Sequence, residues 1–110
     1  MAERKVVEYL RKGVSPFGSW FAGLDAHAAA KVATAVYRME QGNLSNVKAV
    51  GQGVSEYRLD FGPGYRIYFG QEGTKVVILL GGGSKKSQGK DIRTAQVLWA
   101  EYKSEKVKKK

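Results

Sequence analysis

The spacing of apolar residues changes from helical to alternating at Gly42-Asn43, and this change limits the folds that the chain can adopt. Before it, apolar residues recur at three- and four-residue intervals, as they do in amphipathic helices. After it, apolar and polar residues alternate, as they do in strands that bury one face. A chain of 110 residues with helices and strands in separate parts of its sequence forms one α+β domain.

Two helices are predicted before this point. Ser15-Pro16 begins the first, because a serine oxygen can accept a backbone hydrogen bond and proline suits the first helical position. Asp25 caps the second helix, which ends at Gly42-Asn43. The short linker between the helices predicts a helical hairpin. Its apolar residues, which we interpret as core, are Phe17, Trp20, Phe21, Leu24, Ala28, Val32, Ala35, Val36 and Met39.

Four strands are predicted: one that ends near Leu10, two in the ranges 54–61 and 65–69, and one in the range 76–80. Gly62-Pro63-Gly64 gives a strong turn signal between the second and third. The unbroken apolar run of the fourth is typical of a central strand covered on both faces. A last helix follows. The expected order is β-α-α-β-β-β-α, a mostly antiparallel twisted sheet with the helical hairpin on its apolar face.

The register of the middle hairpin follows from its apolar residues. We expect Asp60 to pair with Arg66 and Arg58 with Tyr68, because this register keeps every apolar residue on one side. The opposite, open face then carries Glu56, Arg58, Asp60, Arg66 and Tyr68.

The chain is basic: nineteen Lys and Arg residues against ten Asp and Glu residues give a formal charge of +9. Such an excess favours a polyanionic partner, either nucleic acid or an acidic protein segment, although a charge that serves only solubility explains it as well. Residues 1–103 are predicted to form a single domain, and residues 104–110 a basic, disordered tail.

Several classes of site and location are excluded. The chain has no cysteine and one histidine, so thiolate sites and paired-histidine zinc sites cannot form. Ser84 and Asp91 stand where a nucleotide-binding P-loop needs glycine and a hydroxyl residue. No apolar run reaches the ~20 residues of a membrane span, and Glu3 and Glu8 in the first eight residues argue against a signal peptide. We expect a cytoplasmic protein without cofactor, metal or membrane contact.

A candidate RNA-binding face can be chosen from the residues alone. Arg58 and Arg66 share the open face with Tyr68; guanidinium groups bind phosphate oxygens and tyrosine can stack on a base. A solvated face with an Asp60–Arg66 ion pair explains the same pattern. The further RNA-binding candidates are Lys48, Lys85, Lys86 and Lys90.

One segment carries a resemblance to a known family. Gly62-Pro63-Gly64-Tyr65-Arg66-Ile67-Tyr68-Phe69 is its most specific part, and further matches extend over about residues 5–103. In these residues the chain resembles the HigB-like addiction-module killer proteins of the RelE/ParE toxin superfamily. The weaker matches include Ser15-Pro16-Phe17, Lys48-Ala49-Val50-Gly51, Gly53-Val54-Ser55-Glu56 and Asp91-Ile92.

The resemblance implies a RelE-like fold and the toxin of a type II toxin–antitoxin module. RelE and HigB toxins are ribosome-dependent endoribonucleases that cleave mRNA in the decoding site without a metal or cofactor. The 2′-hydroxyl attacks the adjacent phosphate and leaves a 2′,3′-cyclic phosphate. The implied partners are the ribosome with its mRNA and a helix-turn-helix antitoxin. The alternatives are a ParE-like DNA gyrase poison without nuclease activity, and an inactive remnant that binds only an antitoxin or an acidic protein.

The resemblance also implies roles for single residues. Arg66 matches an arginine that contacts the scissile phosphate, and Arg58 stands where related toxins carry a catalytic lysine. Lys85 and Lys86 lie near a phosphate-binding basic pair. The chain departs from the pattern at Asp60, where a second lysine is expected, and at Lys90-Asp91-Ile92, where a tyrosine is expected.

The resemblance therefore does not identify the residue that accepts the proton of the 2′-hydroxyl. Arginine is protonated at any accessible pH, so the candidate bases are Lys85, whose charged neighbours favour a neutral amine, and Tyr68. The nuclease interpretation requires both guanidinium groups, those of Arg58 and Arg66, on the open side of the sheet.

Overall fold

The computed structural model describes residues 3–108 and shows a mixed five-stranded sheet with helices on both faces. The sheet order is β1-β5-β4-β3-β2, with β1 parallel to β5 and the other neighbours antiparallel. The predicted α+β class is confirmed; the predicted order lacked the short strand β2. The elements are β1 (Lys5–Glu8), α1 (Pro16–Ala22), α2 (Ala26–Glu40), β2 (Val47–Ala49), β3 (Ser55–Arg58), β4 (Arg66–Glu72), β5 (Val76–Gly83) and α3 (Gln88–Lys108), with a 3₁₀ turn at Lys85–Ser87.

Both predicted helix starts are confirmed, and both have side-chain caps. Ser15 Oγ accepts a hydrogen bond from the Gly18 N–H at 2.8 Å, and Asp25 Oδ1 accepts one from the Ala28 N–H at 2.9 Å. Both caps satisfy backbone donors that a helix leaves unpaired at its first turn. The two helices then pack on one face of the sheet, around a buried core of Phe17, Val32, Ala35, Met39, Tyr57, Ile67, Phe69, Val77 and Leu79.

The second face of the sheet is covered by α3, so the expectation of an open face is wrong. Trp99 lies directly on the sheet backbone: a Cβ added to Gly70 would stand 2.5 Å from its ring. The physical reason is that α3 has an apolar stripe of its own, and α1 and α2 already occupy the first face. The second core contains Tyr9, Val54, Tyr68, Ile78, Leu80, Ala95, Leu98 and Trp99.

Strand β5 is buried on both faces, as its apolar run predicts. Val77 and Leu79 belong to the core under α1 and α2, whereas Ile78 and Leu80 belong to the core under α3. The strand also separates the parallel neighbour β1 from the antiparallel neighbour β4.

The hairpin register differs by two residues from the predicted one. Arg58 pairs with Arg66 and Glu56 with Tyr68, whereas Asp60 lies outside β3. The loop between β3 and β4 is wider than expected because Gly62 and Gly64 adopt positive φ angles of 56° and 75°, a region that glycine enters without strain. A shift by two leaves every side chain on its predicted face.

Helix α3 continues to Lys108, so the described residues 104–108 of the predicted tail are helical. Lys109 and Lys110 lie outside the described residues. An ion pair between Lys106 and Glu72 joins this part of α3 to the end of β4. Among residues 3–108, no helix has the length and apolar character that crossing a membrane requires.

Candidate functional site

Three predicted site residues come together at one end of the sheet. Arg58 and Arg66 are direct cross-strand partners in β3 and β4, and Arg66 is also the partner of Gly83 at the end of β5. Lys85 follows two residues later. Gly64 lies between the side chains of Arg66 and Lys85: a Cβ added to Gly64 would stand 3.2 Å from Arg66 Nη1 and 3.3 Å from Lys85 Cβ.

Arg66 is buried, with 4% of its surface exposed, so the expectation of an accessible guanidinium at this position is wrong. Its Nη1 donates a hydrogen bond to the Gly64 carbonyl oxygen at 2.6 Å, and its Nε lies 3.5 Å from Glu56 Oε2. The physical reason is that α3 covers this face and a buried carboxylate compensates the charge. The predicted pair Asp60–Arg66 does not form; Asp60 is exposed in the loop.

The sequence placed Glu56 on the same sheet face as Arg66, but it did not reveal that Glu56 is buried in the site. It is fully buried, and its Oε2 accepts a hydrogen bond from Gln88 Nε2 at 2.8 Å. Its Oε1 has no partner among residues 3–108. An acidic residue in an alternating strand normally faces solvent, so nothing local in the sequence signals that α3 buries this one.

Tyr68 is buried beside the same carboxylate, at 1% exposure. Burial raises the pKa of its phenol, the negative charges of Glu56 and Asp91 raise it further, and Arg66 partly opposes them. The phenol therefore stays protonated at neutral pH, which argues against Tyr68 as a proton acceptor. Its hydroxyl is buried beside the Glu56 carboxylate.

The remaining predicted residues are exposed cations: Arg58, Lys48, Lys85, Lys86 and Lys90. Lys48 pairs with Glu56 across β2 and β3, so it lies on the same sheet face as Arg58. Lys86 and Lys90 lie in the 3₁₀ turn and the first turn of α3.

Arg58 lines two neighbouring surface clefts. The first, of about 340 Å³, also contains Lys48 and Asp60. The second, of about 280 Å³, extends towards α2 and contains Lys31 and Arg38. Four cations and one carboxylate thus surround this edge of the sheet, and such an arrangement attracts phosphate groups.

Residues 3–108 contain no group of three or more histidine, cysteine or acidic side chains that could hold a metal ion.

Comparison with known proteins finds a relative that covers most of this chain. The chain is 41% identical over 83 residues to an uncharacterized protein of Haemophilus influenzae, and the match covers 74% of this chain and 84% of that protein. No protein-family model and no solved structure matches the chain. At this identity and coverage, the chain belongs to the same family as the Haemophilus influenzae protein.

Proposed function

We propose that this protein is the toxin of a type II toxin–antitoxin module, with a RelE-like fold, and that it cleaves mRNA on the ribosome. The observation that carries the proposal is the convergence of Arg58, Arg66 and Lys85 at one end of the sheet. The 59–65 loop joins Arg58 and Arg66, and its residues 62–65 belong to the segment that resembles HigB-like toxins. The proposed partners are the ribosome with mRNA in the decoding site and a helix-turn-helix antitoxin.

In the proposed reaction the 2′-oxygen forms a bond to the adjacent phosphorus, and the bond from phosphorus to the 5′-oxygen breaks. A base takes the proton of the 2′-hydroxyl, and the departing 5′-oxygen takes a proton from water. Arg58 and Lys85 are exposed and can contact the phosphate, and the guanidinium of Arg58 stabilises the extra negative charge of the transition state. Because Tyr68 stays protonated, Lys85 is the remaining candidate base.

The expected requirement of two accessible guanidinium groups is not met, because Arg66 is buried. The proposal therefore gives the phosphate contact to Arg58 and assigns Arg66 the different role of positioning the loop. Its hydrogen bond to the Gly64 carbonyl holds the 59–65 loop against the sheet, and the loop in turn lies beside Lys85, whose N–H donates to the Pro63 carbonyl at 3.2 Å. Arg66, although buried, thus fixes the distance between the two exposed cations that bind phosphate, Arg58 and Lys85.

The exposed lysines Lys48, Lys86 and Lys90 serve RNA binding in the proposal. Contacts between lysine and phosphate release counterions, so affinity falls as salt rises. Their positions on both sides of Arg66 suit an RNA strand that crosses this end of the sheet.

The test is induced expression in bacteria, with mRNA cuts mapped by primer extension. We expect cuts at fixed codon positions, and a loss of cutting of about 10²-fold or more in Arg58→Ala and Lys85→Ala, since single charge-stabilising donors contribute on this order. Lys75→Ala is the matched control, because this exposed lysine lies at the opposite end of β5. If both variants cut mRNA as efficiently as the unaltered chain does, Arg58 and Lys85 do not form the proposed site.

A gyrase poison of the ParE kind is the second candidate function. The burial of Arg66 and Tyr68 favours it, because a toxin without a nuclease site has no need to expose them. The same expression experiment separates the two: gyrase-bound DNA breaks and an SOS response without mRNA cuts indicate the poison. Cells that grow normally indicate the inactive remnant.

A further inference from the structure

Helix α2 carries a stripe of polar side chains along one side. The stripe consists of His27, Lys31, Thr34 and Arg38, which are all exposed. At 3.6 residues per turn, these positions lie within an arc of about 60° around the helix axis. The buried stripe of α2, which packs on the sheet, lies directly beside this arc. The polar stripe therefore runs along the border between α2 and the sheet.

The polar stripe forms one wall of a cleft of about 280 Å³, which we call the α2 cleft. Lys31, Thr34 and Arg38 line it on the side of the helix. Arg58 and the loop after β3 line the other side. Arg58 also lines the neighbouring cleft that contains Lys48, so the two clefts meet at its side chain. The α2 cleft thus lies beside one of the two cations to which the proposed function assigns the cleaved phosphate.

The cations of the α2 cleft take part in no ion pair within residues 3–108. The three pairs formed there use the cations Arg11, Arg66 and Lys106. The lining of the cleft contains three cations and one carboxylate, that of Asp60, so an excess of two positive charges remains. A concave surface with such an excess attracts a polyanion.

The ring of Phe61, which also lines the α2 cleft, restrains the Lys31 ammonium there. Lys31 Nζ lies 5.5 Å from the centre of this ring, which makes a cation–π contact. The His27 ring stacks on Phe61 with the two centroids 5.0 Å apart, and this contact joins the loop to α2. Because a cation–π contact does not neutralise the charge, the ammonium is positioned and stays available to an anion.

We propose that the α2 cleft binds the mRNA strand beside the phosphate that is cleaved, with Lys31 and Arg38 as ligands of neighbouring phosphates. The two residues lie seven positions apart, about 10 Å along the helix axis, so they can contact different phosphates of one strand. The strand then runs from the cleavage site at Arg58 along α2. The inference deepens the proposed function and rests on it for the identity of the strand as mRNA.

The first experiment measures binding without cleavage. The purified full chain is titrated into a short, fluorescein-labelled 2′-O-methyl oligouridine, which lacks the 2′-hydroxyl that the proposed reaction needs, at several salt concentrations. Each phosphate contact to a single strand contributes about 0.7 to the slope of log K against log salt. Lys31→Gln and Arg38→Gln should each lower the magnitude of this slope by about 0.7 and weaken binding about 5-fold at about 0.1 M salt. The double variant should lower it by about 1.4.

The matched control is the double variant Lys75→Gln with Lys103→Gln. It removes the same net charge at two exposed lysines, one just before β5 and one on α3, which covers the opposite face of the sheet. This control should leave the slope unchanged, and circular dichroism melts establish that each variant is folded. If the Lys31→Gln, Arg38→Gln double variant gives the slope of the control, the strand does not occupy the α2 cleft.

A competing occupant is tested with polyglutamate, which carries the negative charge of an acidic protein segment. If polyglutamate binds the unaltered chain more tightly than the oligouridine does, and loses affinity in Lys31→Gln and Arg38→Gln, the cleft is a docking site for protein and the inference fails. Weaker binding of polyglutamate that does not depend on these two residues supports the RNA strand.

The mRNA cuts in cells separate the α2 cleft from the proposed function. If the chain cuts mRNA, and the folded double variant of Lys31 and Arg38 retains both the salt slope and the cutting, the inference fails and the nuclease stands. If the chain binds the oligouridine through Lys31 and Arg38 but cuts no mRNA, the nuclease fails. The α2 cleft then stands as a site for a single-stranded nucleic acid.

Discussion

Glu56 is the residue that explains why a charged arginine can lie inside this protein. Moving a guanidinium out of water costs several kcal/mol unless a counter-charge accompanies it. Glu56 supplies that charge from the strand beside Arg66, and Gln88 satisfies one of the carboxylate oxygens. The pair ties β3 and β4 to the first turn of α3, so two buried charges hold the helix over the proposed site.

Glu56→Gln should therefore destabilise the fold by about 3 kcal/mol or more, because it leaves Arg66 buried without its counter-charge. Urea unfolding measures the change. Glu40→Gln, at an exposed position of α2, is the matched control and should change the free energy of unfolding by less than about 0.5 kcal/mol. The double variant Glu56→Gln with Arg66→Met should recover part of the loss. A cost no larger than that of the control would show that the charge of Arg66 is solvated.

At the scale of elements, two glycines on neighbouring strands should respond oppositely to alanine. Gly70→Ala forces a methyl group into the Trp99 ring and should cost about 1–3 kcal/mol, as overpacking does. Gly81→Ala adds a methyl group to open space and should stabilise the strand by up to about 1 kcal/mol. Urea unfolding measures the change in the free energy of unfolding for each variant, and we expect the two changes to have opposite signs. Equal effects would contradict the packing of α3 described above.

Patterns of residues close together in the sequence predicted the helices and strands well. Ser15 and Asp25 cap their helices as expected because a cap depends only on residues three positions away. The alternating strands were assigned to the correct faces, because a register shift by two residues preserves the side of each residue. The register itself depended on the loop, where positive φ angles at Gly62 and Gly64 widened the turn.

The position of α3 could not be predicted from such local patterns. Its apolar stripe is visible in the sequence, but its location on the sheet depends on Trp99 meeting Gly53 and Gly70, residues distant in the chain. For this reason the basic residues of the candidate site were found and Glu56 was assigned to the correct face, whereas the burial of Arg66 and Glu56 was not predicted. Composition and spacing identify charges; the packing of a distant helix determines which of them reach solvent.

Across the whole molecule, tyrosines join α3 to the sheet along its length. The Tyr9 hydroxyl, just after β1, donates to Glu105 at 3.1 Å and lies 3.3 Å from Glu101. Tyr102 stacks on Trp99 and contacts Glu72 at the end of β4. Tyr68 lies beneath the first turns of the helix. Three protonated phenols therefore stabilise one helix–sheet interface.

Alkaline pH should weaken this interface. Burial, followed by the neighbouring Glu105, raises the pKa of Tyr9 to about 12, and burial followed by Glu72 raises the pKa of Tyr102 to about 12, against an ordinary value of 10.0. The pKa of Tyr68 is also raised. The unfolded chain therefore releases these protons at lower pH than the folded protein does. The stabilisation is complete below pH 10 and is lost as pH rises towards 12.

We accordingly expect the urea midpoint to stay level up to about pH 10 and then to fall. Tyr9→Phe and Tyr102→Phe should each make that fall less steep, because each removes one late-titrating phenol, whereas exposed Tyr37→Phe should leave it unchanged. Tyrosinate absorbance in the folded protein should lag behind that in urea over the same range. If folded and unfolded chains titrated together, the phenols would not be buried beneath α3, and the helix could not cover the face on which Arg66 and Glu56 lie.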